Sequence, residues 1–134
     1  MKKNLLFLFL MLATFIGFGQ SSPPEKADGE VEGVNVSITY SSSRVKSRTI
    51  YGGLVPYDKV WRAGANENTT IEFSDNVIIN GKDLAKGKYG FFIIPKENGE
   101  WIAIFSKKND AWGSSSYKES DDALRVPVDA KFEK

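Results

Sequence analysis

The sequence predicts an all-β fold, a single antiparallel β-sandwich of the Greek-key/immunoglobulin-like or jelly-roll-like kind. Three features predict it. Apolar and polar residues alternate over short stretches, the period of a strand with one buried face. Turn-forming residues separate these stretches. No segment sustains a helical period, and a set of short strands without helices buries its faces in a sandwich or barrel.

The elements follow in chain order. Lys2 and Lys3 precede a run from Leu5 to Ile16 that is apolar except at Thr14, and Gly17-Phe18-Gly19 supplies small residues before Gln20. This is the layout of a secretory signal peptide, residues 1–19, shorter than a transmembrane helix requires. Its removal near Gly19-Gln20 predicts an exported chain, periplasmic or extracellular, with no transmembrane segment left. Residues 20–33 contain a Pro pair and several charges with little to bury, and read as a flexible leader. Residues 34–134 form the β-sandwich domain. In it Val34, Val36, Ile38 and Tyr40 alternate with polar residues as a first strand. Arg44, Lys46 and Arg48 then put three cations on one side of an extended piece, the pattern of a charge-protected edge more than of a phosphate site. Leu54 to Ala65 is apolar but carries Pro56 and Gly64, and suits an irregular crossing.

Ile71 and Phe73 mark the next strand. Val77 to Leu84 encloses Asn80-Gly81, the dipeptide of a type I′ hairpin turn. Leu84-Ala85-Lys86-Gly87-Lys88-Tyr89 has the spacing of a tyrosine corner, in which Gly87 bends the chain and the Tyr89 hydroxyl reaches back to backbone a few residues upstream. Tyr89 to Ile94 is apolar throughout, as expected of a central strand buried on both faces. Trp101 to Phe105 returns beside it. Lys107 to Asp122 is polar apart from Trp112, and Leu124, Val126 and Val128 form a last strand whose Pro127 favours an edge.

Several stretches together carry a family likeness: SRVKSRTIYGGLVPY (43–57), VWRAGANE (60–67), TTIEF (69–73), INGKDLAKGKY (79–89), Ile94-Pro95, Trp112-Gly113 and Leu124-Arg125-Val126. In combination they closely resemble domain-of-unknown-function family 2911, exported bacterial proteins, from about Val34 to Val128. The resemblance implies an exported all-β domain and lends no catalytic residue. Family members generally continue with further strands after the Leu-Arg-Val segment. The stop at Lys134 therefore predicts a shortened member with an unpaired strand edge.

Composition narrows the function. With no Cys and no His, disulfides, Ser-His-Asp triads, Cys nucleophiles and the usual zinc or haem sites are excluded. Lys plus Arg is 18 and Asp plus Glu is 17, too even a balance to draw the chain to nucleic acid. No cofactor or metal is expected. Asp121-Asp122 and Asn109-Asp110 lack the spacing of a calcium loop. Polar and aromatic residues concentrate on one Gly-containing loop, where Trp61, Arg62, Asn66 and Glu67 could bind a small molecule or glycan, with Trp112 joining as a stacking platform. The competing reading has Trp61 filling the core, Arg62 pairing with Glu67 and Trp112 plugging the end of the sandwich. A non-catalytic binding module is the expectation. The alternatives are an envelope interaction module that works by strand addition and a weak carboxylate-dependent hydrolase using Glu67.

Overall fold

The computed structural model describes residues 3–4, 24–42, 49–112 and 114–130. The chain is all-β. Nine strands are present among the described residues: β1 (Lys3–Asn4), β2 (Pro24–Val31), β3 (Val34–Ser41), β4 (Thr70–Phe73), β5 (Val77–Ile79), β6 (Lys82–Leu84), β7 (Gly87–Ile94), β8 (Trp101–Ser106) and β9 (Asp122–Val128). Six form one antiparallel sheet in the order β2-β3-β4-β7-β8-β9, and β5 and β6 form a small hairpin with β1 parallel to β5. No helix among the described residues is long and apolar enough to cross a membrane. The basic stretch Arg44, Lys46, Arg48 lies outside the described residues, as does nearly all of the expected signal peptide.

The sheet is an up-and-down meander interrupted once, by the β5–β6 hairpin between β4 and β7. The all-β antiparallel expectation is met, while this strand order differs from the Greek-key or jelly-roll order expected of the sandwich. The alternation along each strand fixes which residues face inward, but not what lies over them. Here the covering layer is a hairpin of two three-residue strands plus loops.

Alternation sorts the side chains onto two faces. On the first, Val36, Ile71, Phe73, Phe91, Ala103, Phe105 and Val126 form the main core with Val77, Ile79 and Leu84 of the hairpin. Phe91 and Phe105 meet edge to face at 5.4 Å. On the second, Phe92, Ile94 and Ile104 form a smaller cluster with Val60, Ile102 and Tyr117. Strand β7 therefore feeds both cores, as its unbroken apolar run requires, and burying each of its phenylalanines is worth about 1.5–3 kcal/mol.

Two turns set the hairpin registers. Asn80 and Gly81 have φ of 50° and 78°, both positive as a type I′ turn demands. Glu32 and Gly33 do the same between β2 and β3, with φ of 50° and 82°. The stretch read as a flexible leader, residues 20–33, thus contains a regular strand: β2 pairs with β3 from Pro24↔Ser41 to Val31↔Val34. Its polar side chains hide it from any search for hydrophobic alternation, because the pairing is made by the backbone. The corner residues act as their spacing requires. Gly87 has φ of 143°, and Tyr89 Oη donates to the Ala85 carbonyl at 2.7 Å.

The two sheet edges differ. At β9, Pro127 faces outward, where its missing N–H costs no ladder bond. Asn80 Nδ2 donates to the Pro127 carbonyl at 2.7 Å, and Lys82 Nζ to the Arg125 carbonyl at 3.3 Å. The hairpin thereby occupies the carbonyls that would accept another strand. At β2 nothing among the described residues does so. Substituting Gly81→Ala places a Cβ at a left-handed φ and should cost about 1–2 kcal/mol of stability. The check is the midpoint of urea unfolding, with the slope unchanged.

Candidate functional site

Two long loops build the candidate site, and both lean on β7. The first begins as an extension of β4. Trp61 and Ile93 exchange two backbone hydrogen bonds of 2.8 Å, and the Phe91 N–H later donates to the Thr69 carbonyl at 2.7 Å. Between these anchors residues 62–68 leave the ladder. Ala63 and Asn66 take positive φ of 57° and 58°, which non-glycine residues adopt at a cost of order 1 kcal/mol each. The excursion is held from inside: Thr69 Oγ1 donates to the Ala63 carbonyl at 3.2 Å, and the Ala65 N–H to the Ser41 carbonyl at 2.9 Å. Gly64 is needed there, because a Cβ would stand 2.9 Å from Thr69 Oγ1 and 3.1 Å from the Ser41 carbonyl.

The second loop, residues 107–121, leaves β8 and returns to β9. Its ends close through Lys107 N–H donating to the Asp121 carbonyl at 2.8 Å, the closed-neck form of an Ω-loop. It crosses the second face of the sheet. The Lys108 carbonyl lies against Gly90, where a Cβ would meet it, and Tyr117 packs on Phe92 with ring centres 5.0 Å apart. A polar clasp ties its base down. The Tyr117 hydroxyl donates to the Asp122 carboxylate at 2.8 Å, Arg125 Nε donates to Asp122 Oδ2 at 2.6 Å, and Arg125 Nη2 reaches Tyr117 Oη at 2.7 Å and Glu119 Oε1 at 2.9 Å. Burial pushes the Tyr117 phenol up to about 12; the Arg125 hydrogen bond opposes this and Asp122 adds to it.

The loops meet edge to edge. Asn68 N–H donates to the Ala111 carbonyl at 2.8 Å, and Glu67 and Trp112 form an antiparallel bridge. Ala111 is buried, while Trp112 is 65% exposed. The expectation that Trp112 plugs the end of the fold is therefore not met. The backbone bridge orients residue 111 inward and its neighbour outward, as strand alternation does anywhere.

The sequence-predicted residues divide into two groups. Glu67 and Trp112 come together at the loop junction, with Asn66 next to Glu67 in the chain. Trp61 does not join them: it is half-buried, packed on the first-face core, with its ring edge-on to Tyr51 at 5.8 Å. Val60 lies with the second-face cluster; Arg62 is half-buried where the chain leaves the ladder, and Ala63 after it joins the first-face core. Arg62 makes no ion pair with Glu67 or any other acid among the described residues. Its Nε is sealed from solvent without a hydrogen-bond partner.

Three features at the site escaped the sequence reading. Asn68 is buried; its Nδ2 donates to the Thr69 carbonyl, and its Oδ1 has no partner. Gly90 reads as one more residue of an apolar strand, yet a Cβ there would collide with the Lys108 carbonyl oxygen and stand 2.7 Å from Asn68 Oδ1. The Asp122 carboxylate, weighed as a calcium ligand, is spent on Arg125 and Tyr117. Among the described residues no group of three or more acids is placed to hold a metal ion.

Two outcomes follow. Gly90→Ala should destabilise the fold by about 1–3 kcal/mol through overpacking and raise amide hydrogen exchange at Asn68, whose N–H bonds the displaced loop. Tyr117 ionises at a higher pH folded than unfolded, so its contribution is intact below pH 10 and fades as pH rises toward about 12. Urea midpoints measured across that window should fall for the wild type and fall less for Tyr117→Phe.

No curated protein and no solved structure matches this chain. A family model described as a protein of unknown function, DUF2911, does match, over residues 22–134, a span that takes in both loops and every strand from β2 to β9. The chain belongs to that family.

Proposed function

We propose that the chain is a non-catalytic binding module whose ligand is a small molecule or glycan seated at the junction of the two loops. One observation carries this reading: Trp112 presents its indole to solvent from a backbone that is bridged to Glu67, next to the Asn68–Ala111 hydrogen bond. An indole offers a flat apolar surface to the C–H face of a sugar ring or to another planar ligand. Glu67 is exposed beside it, and the Asn66 and Arg62 side chains follow along the same loop. A carboxylate accepts from hydroxyls, an amide does both, and a guanidinium donates. Trp61 supports the loop from the core side and does not touch the ligand.

The apolar leader at residues 1–19 supports a place in the periplasm or outside the cell for this activity. Hydrolysis by Glu67 has less to favour it, since no observation supplies the second carboxylate that such chemistry uses.

The test is a fluorescence titration with a panel of mono- and oligosaccharides. Trp101 is buried and Trp61 half-buried, so quenching by a ligand reports chiefly on Trp112. Trp112→Ala should weaken binding by about tenfold or more and leave the urea midpoint unchanged. A panel without a ligand, or a Trp112→Ala variant that binds as the wild type does, would sink the reading.

A further inference from the structure

The strand β2 stands apart from the loop site and raises a separate question. Its eight residues are exposed on both faces except the half-buried Val31. The two-residue turn makes Val31 and Val34 the first hydrogen-bonded pair, so alternate β2 residues bond β3 and the others point their backbone groups away from the sheet. The outward set is Lys26, Asp28 and Glu30, with Pro24 at the end. Their side chains share the second face, where Lys26 Nζ lies 3.7 Å from Asp28 Oδ1. On the first face between them are Ala27 and Gly29, which leave the approach unobstructed.

We propose that β2 pairs antiparallel with β2 of a second copy of this chain about a two-fold axis at Ala27, joining two sheets into one. Charge decides the register. A two-fold pairing must set outward residues opposite one another. Centring on Lys26 puts Lys26 against itself; centring on Asp28 puts Asp28 against itself; centring on Gly29 puts Asp28 against Glu30. Like charges directly opposite are unfavourable. Centring on Ala27 sets Lys26 against Asp28 of the other copy, twice by symmetry, and Glu30 against Pro24. The closed two-fold contact forms about six backbone hydrogen bonds, since each Pro24 lacks a donor. The other edge of the sheet offers no such template, because Asn80 and Lys82 hold its carbonyls.

Sedimentation equilibrium on the purified protein tests this. The wild type should be a dimer at about 100 µM. Lys26→Glu sets glutamate against Asp28, and Asp28→Lys sets lysine against Lys26; each should weaken the dimer by about tenfold or more. The double variant restores opposite charges across the axis and should restore the dimer. Circular dichroism of each variant separates lost pairing from lost folding. A wild type that stays monomeric at about 1 mM overturns the proposal. So does a folded single variant that dimerises like the wild type, or a folded double variant that remains monomeric.

Discussion

Position 90 has no room for a side chain, and the architecture around the candidate site depends on that. The strand that carries Gly90 is buried on both faces from Tyr89 to Ile94. Phe91 and Ile93 point to one core, Phe92 and Ile94 to the other. A central strand built this way would ordinarily keep other backbone at side-chain distance, about 10 Å. At Gly90 the Lys108 carbonyl and the Asn68 side chain come down onto the strand instead. That close approach lets the loop after β8 reach across the sheet to the loop before β4. Their meeting produces the Asn68–Ala111 bond and the Glu67–Trp112 bridge. The glycine acts here through space more than through φ.

Much of the fold is legible in the sequence where local chemistry and tertiary structure agree. Asn80-Gly81 specifies its turn because both residues tolerate positive φ, and the corner at Gly87 and Tyr89 forms because its hydrogen bond is four residues long. The central strand announces itself by composition. The second layer is hidden because nothing in a strand's periodicity identifies its cover. Strand β2 is hidden because its side chains bury nothing; only the Glu32-Gly33 pair hints at it, and Glu is an uncommon first residue for that turn. The tryptophans show the same limit. Trp61 and Trp112 are equally apolar in sequence, and their fates differ because one backbone is abreast of Ile93 and the other of Glu67.

The sheet's edges follow one logic with two outcomes. A meander closes on neither side, so each terminal strand exposes a row of backbone groups. At β9 the β5–β6 hairpin does double service: Val77, Ile79 and Leu84 cover the main core, and the side chains of Asn80 and Lys82 saturate the edge carbonyls. Its insertion between β4 and β7 makes this possible, since from there it spans the first face as far as β9. Strand β2 has no such cover among the described residues. Its protection, or its partner choice, is written in the alternation of Lys26, Asp28 and Glu30.

An exposed tryptophan on a loosely tethered loop says little, because it can turn inward whenever that is favourable. Trp112 is differently placed. Turning its indole inward would exchange it with Ala111, and that requires breaking the Asn68 and Glu67 pairings while expelling a buried methyl from the second face. The loop behind it is closed at its neck, stacked through Tyr117 and clasped through Asp122 and Arg125. Much of the backbone freedom of this loop is already removed by folding. The fold accordingly forgoes at Trp112 the burial that stabilises Trp101 and leaves a large apolar surface in water. Contacts that do not involve the indole hold this backbone, so removing the indole leaves the means of support in place.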